Sequence, residues 1–467
     1  MSSTMEPRTN PAIDQSNERR PRILTRFLRR DDSHELEAYR ADGGYEVLRR
    51  ALSTMKPDEI VTAVKESGLR GRGGAGFPTG VKWGFIDRQS SKPVYLVVNA
   101  DESEPGTFKD RLILERMPHL MIEGLVLASF ALNVRHAFIY IRGEYAFPAR
   151  RLAAALDEAK AAGFLGSNIL GSGKDLEVTL YRGAGAYICG EETALLESLE
   201  GKKGYPRIKP PFPAVVGLYR CPTVVNNVET LATVPWIIEH GARAFKAIGT
   251  EKSAGTRLFC VSGRVHRPGN HEIPLGTPLK EFIDEDCGGM LDGYRLKGVI
   301  PGGASTNVLT PEEIDRARLD FESMMQFGTF LGSGGVVVID DSVSIVEAAY
   351  SIAHFFAHES CGQCSPCREG TGWISGIIHR ILAGQGKIAD LDLITAISKQ
   401  MMGTTICPLA DADAMPMIAF VTKYRSEWEE FIRSGNRVLD RRTPEPETPE
   451  RPAEFKLSGD RIPIAAV

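Results

Sequence analysis

Apolar residues recur at two different spacings along the chain, and the two spacings predict different elements. Short unbroken apolar runs predict buried strands at residues 94–98, 136–141 and 177–181. Helical periodicity predicts helices around them, at residues 58–67, 118–132, 146–162, 191–199 and 228–240. Strands that alternate with helices indicate a parallel sheet with helices on its faces.

The pattern changes twice further along the chain. Residues 255–307 are rich in Gly and Pro, with short strands predicted at 257–263 and 295–300, which indicates a small β-rich domain resembling a β-grasp. From Ser344 to Phe431 the periodicity is mostly helical and predicts a short helical bundle. The two ends, residues 1–20 and 441–467, have no periodicity and are predicted to be disordered tails.

Composition excludes several classes of protein. The 467 residues carry 56 Lys and Arg against 60 Asp and Glu, so nothing favours nucleic acid as a partner. No apolar run approaches the ~18 residues that span a bilayer, and the N-terminus has no secretory h-region. We therefore expect no nucleic-acid binding and no direct membrane insertion, and any membrane association would go through a partner protein.

A glycine-rich loop follows the first predicted helix. Gly71, Gly73 and Gly76 match the dinucleotide fingerprint, but that motif requires a preceding strand, and here a helix precedes and Phe77-Pro78 follows. We therefore reject the standard interpretation. The glycines still permit close backbone approach to a flat or anionic ligand, and positive charge nearby suits phosphate. The basic residues are Arg70, Arg72 and Lys82. A flexible surface loop is the alternative.

Carboxylates follow two of the predicted strands. Ligands bind beyond the carboxyl ends of strands in open parallel sheets, where acidic groups accept hydrogen bonds from sugar hydroxyls and favour NAD over NADP. The residues are Asn99, Asp101, Glu102 and Glu104 after the first strand, and Glu191 and Glu192 after the third. The alternatives are an acidic solvated turn in the first segment and helix capping in the second.

Aromatic and amide side chains add to this candidate ligand site. Phe85 and Phe212 lie in Gly- and Pro-rich surroundings and could sandwich an adenine, with core packing as the alternative. Asn226 and Asn227 precede a predicted helix, whose N-terminus would suit a phosphate.

Four of the 8 cysteines are spaced for metal binding. Cys361, Cys364 and Cys367 form two successive C-x-x-C steps, and the distant Cys407 is followed by Pro, which is typical of a cubane iron–sulfur cluster. A Cys₄ zinc site, the alternative, usually has two separated C-x-x-C pairs. The other four are predicted to be small buried side chains: Cys189, Cys221, Cys260 and Cys287.

Four motifs, at residues 68–80, 99–106, 183–193 and 359–370, together resemble the NADH-binding flavoprotein (F-type) subunit of respiratory complex I. The resemblance extends from about Tyr45 to Phe431. It implies an α/β Rossmann-like FMN-binding domain, a ubiquitin-like β-grasp (SLBB-type) domain and a C-terminal helical bundle carrying a [4Fe–4S] cluster. We expect the boundaries to fall as 1–20 tail, 21–80 helical segment with the glycine loop, 81–245 FMN/NADH domain, 246–335 β-grasp domain, 336–440 helical bundle and 441–467 tail.

The resemblance also implies a set of cofactor contacts. The glycine loop and Lys82 would lie against FMN and the NADH pyrophosphate, and the two acidic segments would flank the flavin and nicotinamide. The full set is Gly71, Arg72, Gly73, Gly74, Ala75, Gly76, Phe77, Lys82, Phe85, Asn99, Asp101, Glu102, Glu104, Tyr187, Gly190, Glu191, Glu192, Phe212, Asn226, Asn227 and Thr230. The cluster ligands would be Cys361, Cys364, Cys367 and Cys407. No side chain is expected to act as a general acid or base. Glu102 and Glu192 would have positioning roles.

The implied activity is NADH oxidation by hydride transfer to FMN, with single electrons passing to the [4Fe–4S] cluster and on towards quinone. The implied partners are a thioredoxin-like [2Fe–2S] subunit and the large iron–sulfur subunit of complex I. The implied location is the cytoplasmic side of the bacterial inner membrane, or the matrix side in mitochondria. A diaphorase subunit of an NAD-linked formate dehydrogenase or hydrogenase is the nearest alternative, and a cluster-bearing electron carrier without an active flavin site is a more distant one.

Overall fold

The computed structural model describes residues 19–28, 31–87 and 91–435. Most of the two predicted tails lies outside these ranges. At the last residue of the first predicted tail, the prediction of disorder is wrong, because Arg20 forms ion pairs with Glu281 at 2.7 Å and with Asp286 at 2.8 Å.

The first sheet has four parallel strands in the order β3-β2-β1-β4. They are β1 (Tyr95–Ala100), β2 (His136–Ile141), β3 (Glu177–Arg182) and β4 (Thr223–Asn227). The predicted strands correspond to the first three, each to within two residues. All four strands point the same way, so their carboxyl ends meet at one edge of the sheet.

Strand β4 was missed by the sequence analysis, which placed Asn226 and Asn227 at a helix start. They are the last two residues of the strand, where Asn227 pairs with Asn99 of β1 in the parallel register and also caps the helix that follows, as predicted. The five-residue strand has no alternation to detect, because four of its residues are buried.

Helices cover the sheet and extend its core towards the N-terminus. They are α1 (Leu36–Ala41), α2 (Glu46–Thr54), α3 (Pro57–Glu66), α4 (Thr79–Gly84), α5 (Lys109–Arg116), α6 (Pro118–Leu132), α7 (Ala146–Ala161), α8 (Glu192–Leu199), α9 (Val228–His240) and α10 (Ala242–Lys246). Five predicted helices coincide with α3, α6, α7, α8 and α9 to within one residue. Leu48, Ile60 and Trp83 of the N-terminal segment share one buried cluster with Leu96 and Val98 of β1. The N-terminal segment therefore packs onto the α/β domain.

The second sheet is mixed, in the order β6-β5-β8-β7, and carries its own core. Strand β5 pairs antiparallel with β6 and parallel with β8, and β7 pairs antiparallel with β8. The elements are β5 (Thr256–Ser262), β6 (Gly269–Pro274), α11 (Leu279–Glu281), β7 (Leu296–Ile300), α12 (Pro311–Ile314), α13 (Phe321–Gln326) and β8 (Gly335–Asp340). The arrangement is β-grasp-like, as expected. The expected domain boundary after residue 335 would cut β8 at its first residue.

The C-terminal region is a helical bundle, as predicted. Its helices are α14 (Ile345–Glu359), α15 (Ser365–Arg380), α16 (Ala389–Met401), α17 (Leu409–Lys423) and α18 (Arg425–Arg433). Phe356, Ile374 and Met417 are fully buried between them. Across the described ranges, no helix has both the length and the apolar character needed to cross a membrane.

Candidate active site and iron–sulfur centre

The glycine loop forms a closed turn between α3 and α4. Arg70 and Pro78 form an antiparallel bridge, and the N–H of Gly71 donates to the carbonyl of Phe77 at 2.8 Å. Gly74 and Gly76 adopt φ of 135° and 65°, values that favour glycine. The glycine loop is therefore a hydrogen-bonded turn that leads into α4. It is not the flexible surface loop that was the alternative.

The arginines of this loop do not add free positive charge, contrary to the sequence prediction. Arg72 is fully buried and donates to the carbonyls of Ala254 and Thr256 at 3.0 and 2.9 Å. Arg70 is paired with Glu322 at 2.7 Å. Of the three basic residues, only Lys82 pairs with the acidic segment after β3. Its side chain is 28% exposed.

The end of β1 presents a buried carboxylate with an unpartnered oxygen. Asp101 is 9% exposed, and its Oδ2 has no hydrogen-bond partner among the described residues. Burial raises the pKa of Asp101 to about 7, against the opposing effects of Arg142 and Ser103. The Asn99 amide donates to the carbonyl of Gly190 at 2.8 Å, so this end of β1 is tied to the turn before α8. An inward-facing acceptor beside glycines suits a ligand with hydroxyl or ring N–H donors, as FMN has.

The carboxylate of Glu102, a residue expected at the flavin, fixes the start of α5. Its carboxylate accepts from the N–H groups of Asp110 and Arg111 at 2.8 and 3.0 Å and from the Tyr145 hydroxyl at 2.8 Å. Burial and the charge of Asp110 raise its pKa to about 7. The backbone at Glu102 remains at the strand end, but its side chain belongs to the scaffold.

Glu104 lies at a junction of three domains. It accepts from the Tyr187 hydroxyl at 2.7 Å and from the N–H of Ser305, in the β-grasp domain, at 2.6 Å. Burial raises its pKa, although these two hydrogen bonds oppose the shift. The Tyr187 N–H in turn donates to Glu359 at the end of α14 at 3.1 Å. Tyr187 and Glu104 therefore connect the strand ends of the first sheet to the cysteine-bearing bundle.

The acidic pair after β3 divides into two roles. Glu191 is the N-cap of α8 and accepts from the N–H groups of Thr193 and Ala194 at 2.8 and 2.9 Å. The helix-capping alternative is therefore confirmed for Glu191. Glu192 pairs with Lys82 at 2.8 Å and with Lys209 at 3.7 Å. Burial alone would raise the pKa of Glu192, but the two lysines outweigh it and hold the pKa below its ordinary value.

Lys209 is a member of the site that the sequence analysis missed. It also pairs with Glu191 at 2.9 Å, so it bridges both glutamates. No periodicity marks it, and its position three residues before Phe212 was the only signal that could have indicated it.

Three phenylalanines that were expected at the nucleotide are not buried. Phe77, Phe85 and Phe212 are 47%, 56% and 58% exposed, so the core-packing alternative for Phe85 and Phe212 is wrong. The rings of Phe77 and Phe85 lie 6.0 Å apart at either end of α4. Exposed aromatic faces beside lysines and a carboxylate suit a nucleotide base.

The amide and hydroxyl groups at the end of β4 are largely occupied by protein partners. Asn226 accepts from the Trp83 indole at 2.8 Å, and Asn227 donates to Asp110 at 2.6 Å while its oxygen caps α9. The Thr230 hydroxyl accepts from the N–H of Arg72 at 2.9 Å. These contacts hold the glycine loop against the start of α9.

The four cysteines lie at the starts of two helices. Cys361 and Cys364 precede α15, Cys367 lies in its first turn, and Cys407 precedes α17. The N–H of Ile406 lies 3.4 Å from the Cys364 sulfur, which brings the two loops together. Burial raises the pKa of Cys407 to about 12. Within the described ranges, no three His, Cys, Asp or Glu side chains are grouped to hold a single metal ion. Four thiols at two helix N-termini are still a donor set that suits an anionic cluster.

The remaining cysteines follow the prediction in three cases. Cys189, Cys260 and Cys287 are buried, whereas Cys221 is half-buried.

Three family models match successive parts of the chain. Residues 64–236 match the "Nuo51 FMN-binding domain", residues 257–339 the "SLBB domain", and residues 347–431 the "NADH-ubiquinone oxidoreductase-F iron-sulfur binding region". These matches confirm the predicted FMN and iron–sulfur cofactors. Together with the fold, they define a flavin- and iron–sulfur-binding oxidoreductase subunit.

Relatives match most of the chain. The second F-type subunit of NADH-quinone oxidoreductase in Rhizobium meliloti is 52% identical over 410 residues, which are 88% of this chain and 97% of that protein. The F-type subunit of the Streptomyces coelicolor enzyme is also 52% identical over 410 residues, 88% of this chain and 91% of that protein. The chain belongs to the family of NADH-quinone oxidoreductase F-type subunits, and the resemblance inferred from its motifs is confirmed.

A solved structure shows the same fold in another assembly. A chain of the NAD⁺-reducing [NiFe]-hydrogenase in its H₂-reduced state aligns with a TM-score of 0.79 at 35% identity. The alignment covers 92% of this chain and 68% of that chain.

Proposed function

We propose that this chain oxidises NADH at a bound FMN and passes the electrons singly to a [4Fe–4S] cluster, as the flavoprotein subunit of an NADH-quinone oxidoreductase. One observation supports it above the others. The hydrogen bond from the Tyr187 N–H to Glu359 joins the turn beside the strand ends to a residue two positions before Cys361. The flavin region and the cysteine region are thus adjoining parts of one packed body.

The FMN region comprises the glycine loop and the carboxyl ends of β1 and β4. The Asp101 carboxylate oxygen without a partner is the acceptor available to a bound ligand. Gly73 lies close to Asn227, where an added Cβ would be 3.1 Å from the Asn227 Cβ, so the loop backbone packs tightly there. FMN, when bound, supplies the capacity to accept a hydride and to release electrons one at a time. The protein contributes orientation and electrostatics.

The nucleotide region comprises Phe77, Phe85 and Phe212 together with Lys82 and Glu192. We assign the three exposed aromatic faces to the adenosine, because Phe77 and Phe85 flank the helix that carries Lys82, and Phe212 lies three residues after Lys209. The lysine suits the pyrophosphate, and the ionised Glu192 accepts from hydroxyl or amide donors. Glu104 is the assigned ribose acceptor, and it must then accept a further hydrogen bond beside those from Tyr187 and Ser305.

The cluster ligands we propose are Cys361, Cys364, Cys367 and Cys407. A Cys364→Ser variant should lose or strongly reduce the cluster EPR signal, while its flavin absorbance stays at the wild-type level. A Cys221→Ser variant is the matched control, because Cys221 lies outside both loops, and it should leave both signals unchanged. Four iron and four sulfide retained in Cys364→Ser with an unaltered spectrum would exclude the ligand assignment.

The similarity to F-type subunits supports a proposal about partners and location. An F-type subunit implies other subunits, and we propose a thioredoxin-like [2Fe–2S] subunit and a large iron–sulfur subunit as electron acceptors. We place the assembly at the cytoplasmic face of the bacterial inner membrane, with this chain attached only through partners.

The direct test is an anaerobic NADH titration of the protein purified with its native partners. Absorbance should show stoichiometric flavin bleaching, and EPR should show a reduced cubane cluster after it. A colourless protein without NADH–ferricyanide activity would favour the non-enzymatic electron carrier instead.

A second candidate is the diaphorase subunit of an NAD-linked hydrogenase or formate dehydrogenase. The structural similarity to the hydrogenase chain, with a TM-score of 0.79, favours this second candidate. Co-purification separates the two: a hydrogenase or formate dehydrogenase subunit in the complex would replace the quinone-linked assignment.

A further inference from the structure

The β-grasp domain contacts the glycine loop through a compact group of four residues, of which only Gly76 is among the expected cofactor contacts. The group consists of Arg70 and Gly76 of the loop with Phe321 and Glu322 at the start of α13, and we call it the loop clamp. The α/β domain holds the same loop by a separate contact, the hydrogen bond from the Arg72 N–H to the Thr230 hydroxyl.

Arg70 connects all members of the loop clamp. Its Nε donates to the carbonyl of Gly76 at 2.7 Å, which closes the loop across its base. Its guanidinium carbon lies 3.7 Å from the centroid of the Phe321 ring, and its Nη1 donates to Glu322 at 2.7 Å. A planar guanidinium stacked on a ring and held by a carboxylate has little freedom to move.

The Phe321 ring also determines where Gly76 can lie. Gly76 has φ of 65°, and a Cβ placed on it would be 2.3 Å from the Phe321 ring. The ring is therefore enclosed between the Arg70 guanidinium and the Gly76 backbone, and Phe321 is only 5% exposed.

The clamp is supported from behind within the β-grasp domain. The Ser253 hydroxyl donates to Glu322 at 2.7 Å and accepts from the N–H of Phe321 at 3.3 Å. Both residues that hold Arg70 are thus fixed before any ligand binds.

We propose that Phe321 and Glu322 are positioning residues of the cofactor site, which set the glycine loop in its ligand-binding conformation through Arg70. This rests on the proposed function, in which the loop backbone contacts FMN and the nucleotide. Gly73 and Gly74 would otherwise sample many conformations, and fixing them beforehand removes an entropy cost from ligand binding. The β-grasp domain would then form one wall of the flavin site.

The test uses the full chain with its native partners, with FMN removed and added back. Three variants probe the clamp: Phe321→Leu removes the ring face, Phe321→Tyr keeps it, and Glu322→Gln removes the charge. Phe327→Leu is the matched control, because Phe327 lies in the same domain and contacts Arg316 at 5.6 Å, away from the glycine loop. The measurements are FMN dissociation constants from fluorescence quenching, visible CD of the bound flavin, and melting temperature of the FMN-free protein.

Phe321→Leu should weaken FMN binding about tenfold, the size expected for loss of a desolvated cation–π contact. It should also change the visible CD of the bound flavin. Phe321→Tyr and Phe327→Leu should bind within about twofold of the wild type, and Glu322→Gln should bind about threefold more weakly.

Wild-type FMN affinity and CD in a folded Phe321→Leu variant would overturn the proposal. If Phe321→Leu does not fold, the Glu322→Gln variant tests the proposal instead. Unchanged FMN affinity in folded Glu322→Gln would then overturn the proposal. A wild-type protein that binds neither FMN nor NADH would instead overturn the proposed function, so the two failures are distinguishable.

Discussion

The acidic segments after β1 and β3 both place paired carboxylates beyond the carboxyl end of a strand, yet their electrostatics are opposite. After β1, burial raises the pKa of Asp101 and Glu102 to about 7 and also raises that of Glu104. After β3, Lys82 and Lys209 hold the pKa of Glu192 below its ordinary value in spite of burial. Carboxylates that follow two strands of the same sheet therefore differ in the direction of their pKa shifts.

The difference separates two tasks within one site. Carboxylates with pKa values near 7 can be neutral in the folded protein, and the hydrogen bonds to Glu102 show such a group serving the scaffold. The ionised Glu192 keeps a full negative charge beside two lysines, where a phosphate-bearing nucleotide would change the partners of all three. The β1 segment therefore shapes the site, and the β3 segment carries its permanent charge.

The largest expected effect tests the scaffold role of Glu102. A Glu102→Ala variant leaves the N–H groups of Asp110 and Arg111 and the Tyr145 hydroxyl without their acceptor, inside a fully buried region. We expect a loss of about 3 kcal/mol in the free energy of unfolding, measured by urea denaturation of the FMN-free chain. Glu144→Gln, on an exposed side chain, is the control and should change stability by less than about 0.5 kcal/mol. An equally stable Glu102→Ala would place the role of Glu102 at the ligand instead.

The fold was largely predictable because its long elements repeat regular patterns. Helices α6 and α9 match their predicted ranges, since long apolar periods leave little choice of element. Strands β4, β6 and β8 were missed for a different reason. They are short and buried, and their pairing distinguishes them from loops, with strands distant in sequence for β4 and β8 and with the neighbouring β5 for β6.

The site was predictable as a set of positions but not as a set of side-chain roles. Motif resemblance indicated Arg72 and Glu102, yet the structure turns both side chains into buried scaffold contacts. Lys209 was missed because its role depends on meeting Glu191 and Glu192 across the site, which no local pattern encodes. The cluster cysteines stand apart, because their spacing in sequence itself reflects the chemistry.

The next effect tests the raised pKa of Asp101 through the pH dependence of stability. With a folded-state pKa of about 7 against an ordinary 3.8, the folded protein binds more protons than the unfolded chain between these values. Stability should therefore fall as pH rises from about 4 to about 7. Asp101→Asn removes this contribution, so the stability of the FMN-free variant relative to the wild type should increase by about 2 kcal/mol between pH 5 and pH 8.

The pH slope should become shallower in Asp101→Asn rather than vanish, because Glu102 titrates in the same range. Urea denaturation at pH 5, 6, 7 and 8 measures it. An unchanged slope would mean that Asp101 is ionised at pH 5, and the contrast with Glu192 would then disappear.

The smallest effects test the division of roles within the β3 segment itself, with each glutamate as control for the other. Glu191→Gln weakens the cap of α8, since an amide oxygen replaces the carboxylate that accepts from Thr193 and Ala194, and should cost about 1 kcal/mol of stability. Glu192→Gln keeps that cap and removes the charge between Lys82 and Lys209, so it should leave stability nearly unchanged but weaken NADH binding about fivefold. Melting curves and NADH titrations of both variants measure the pair. If Glu191→Gln has the larger effect on NADH affinity, the capping residue rather than the lysine-held one contacts the nucleotide, and the assignment within the β3 segment is reversed.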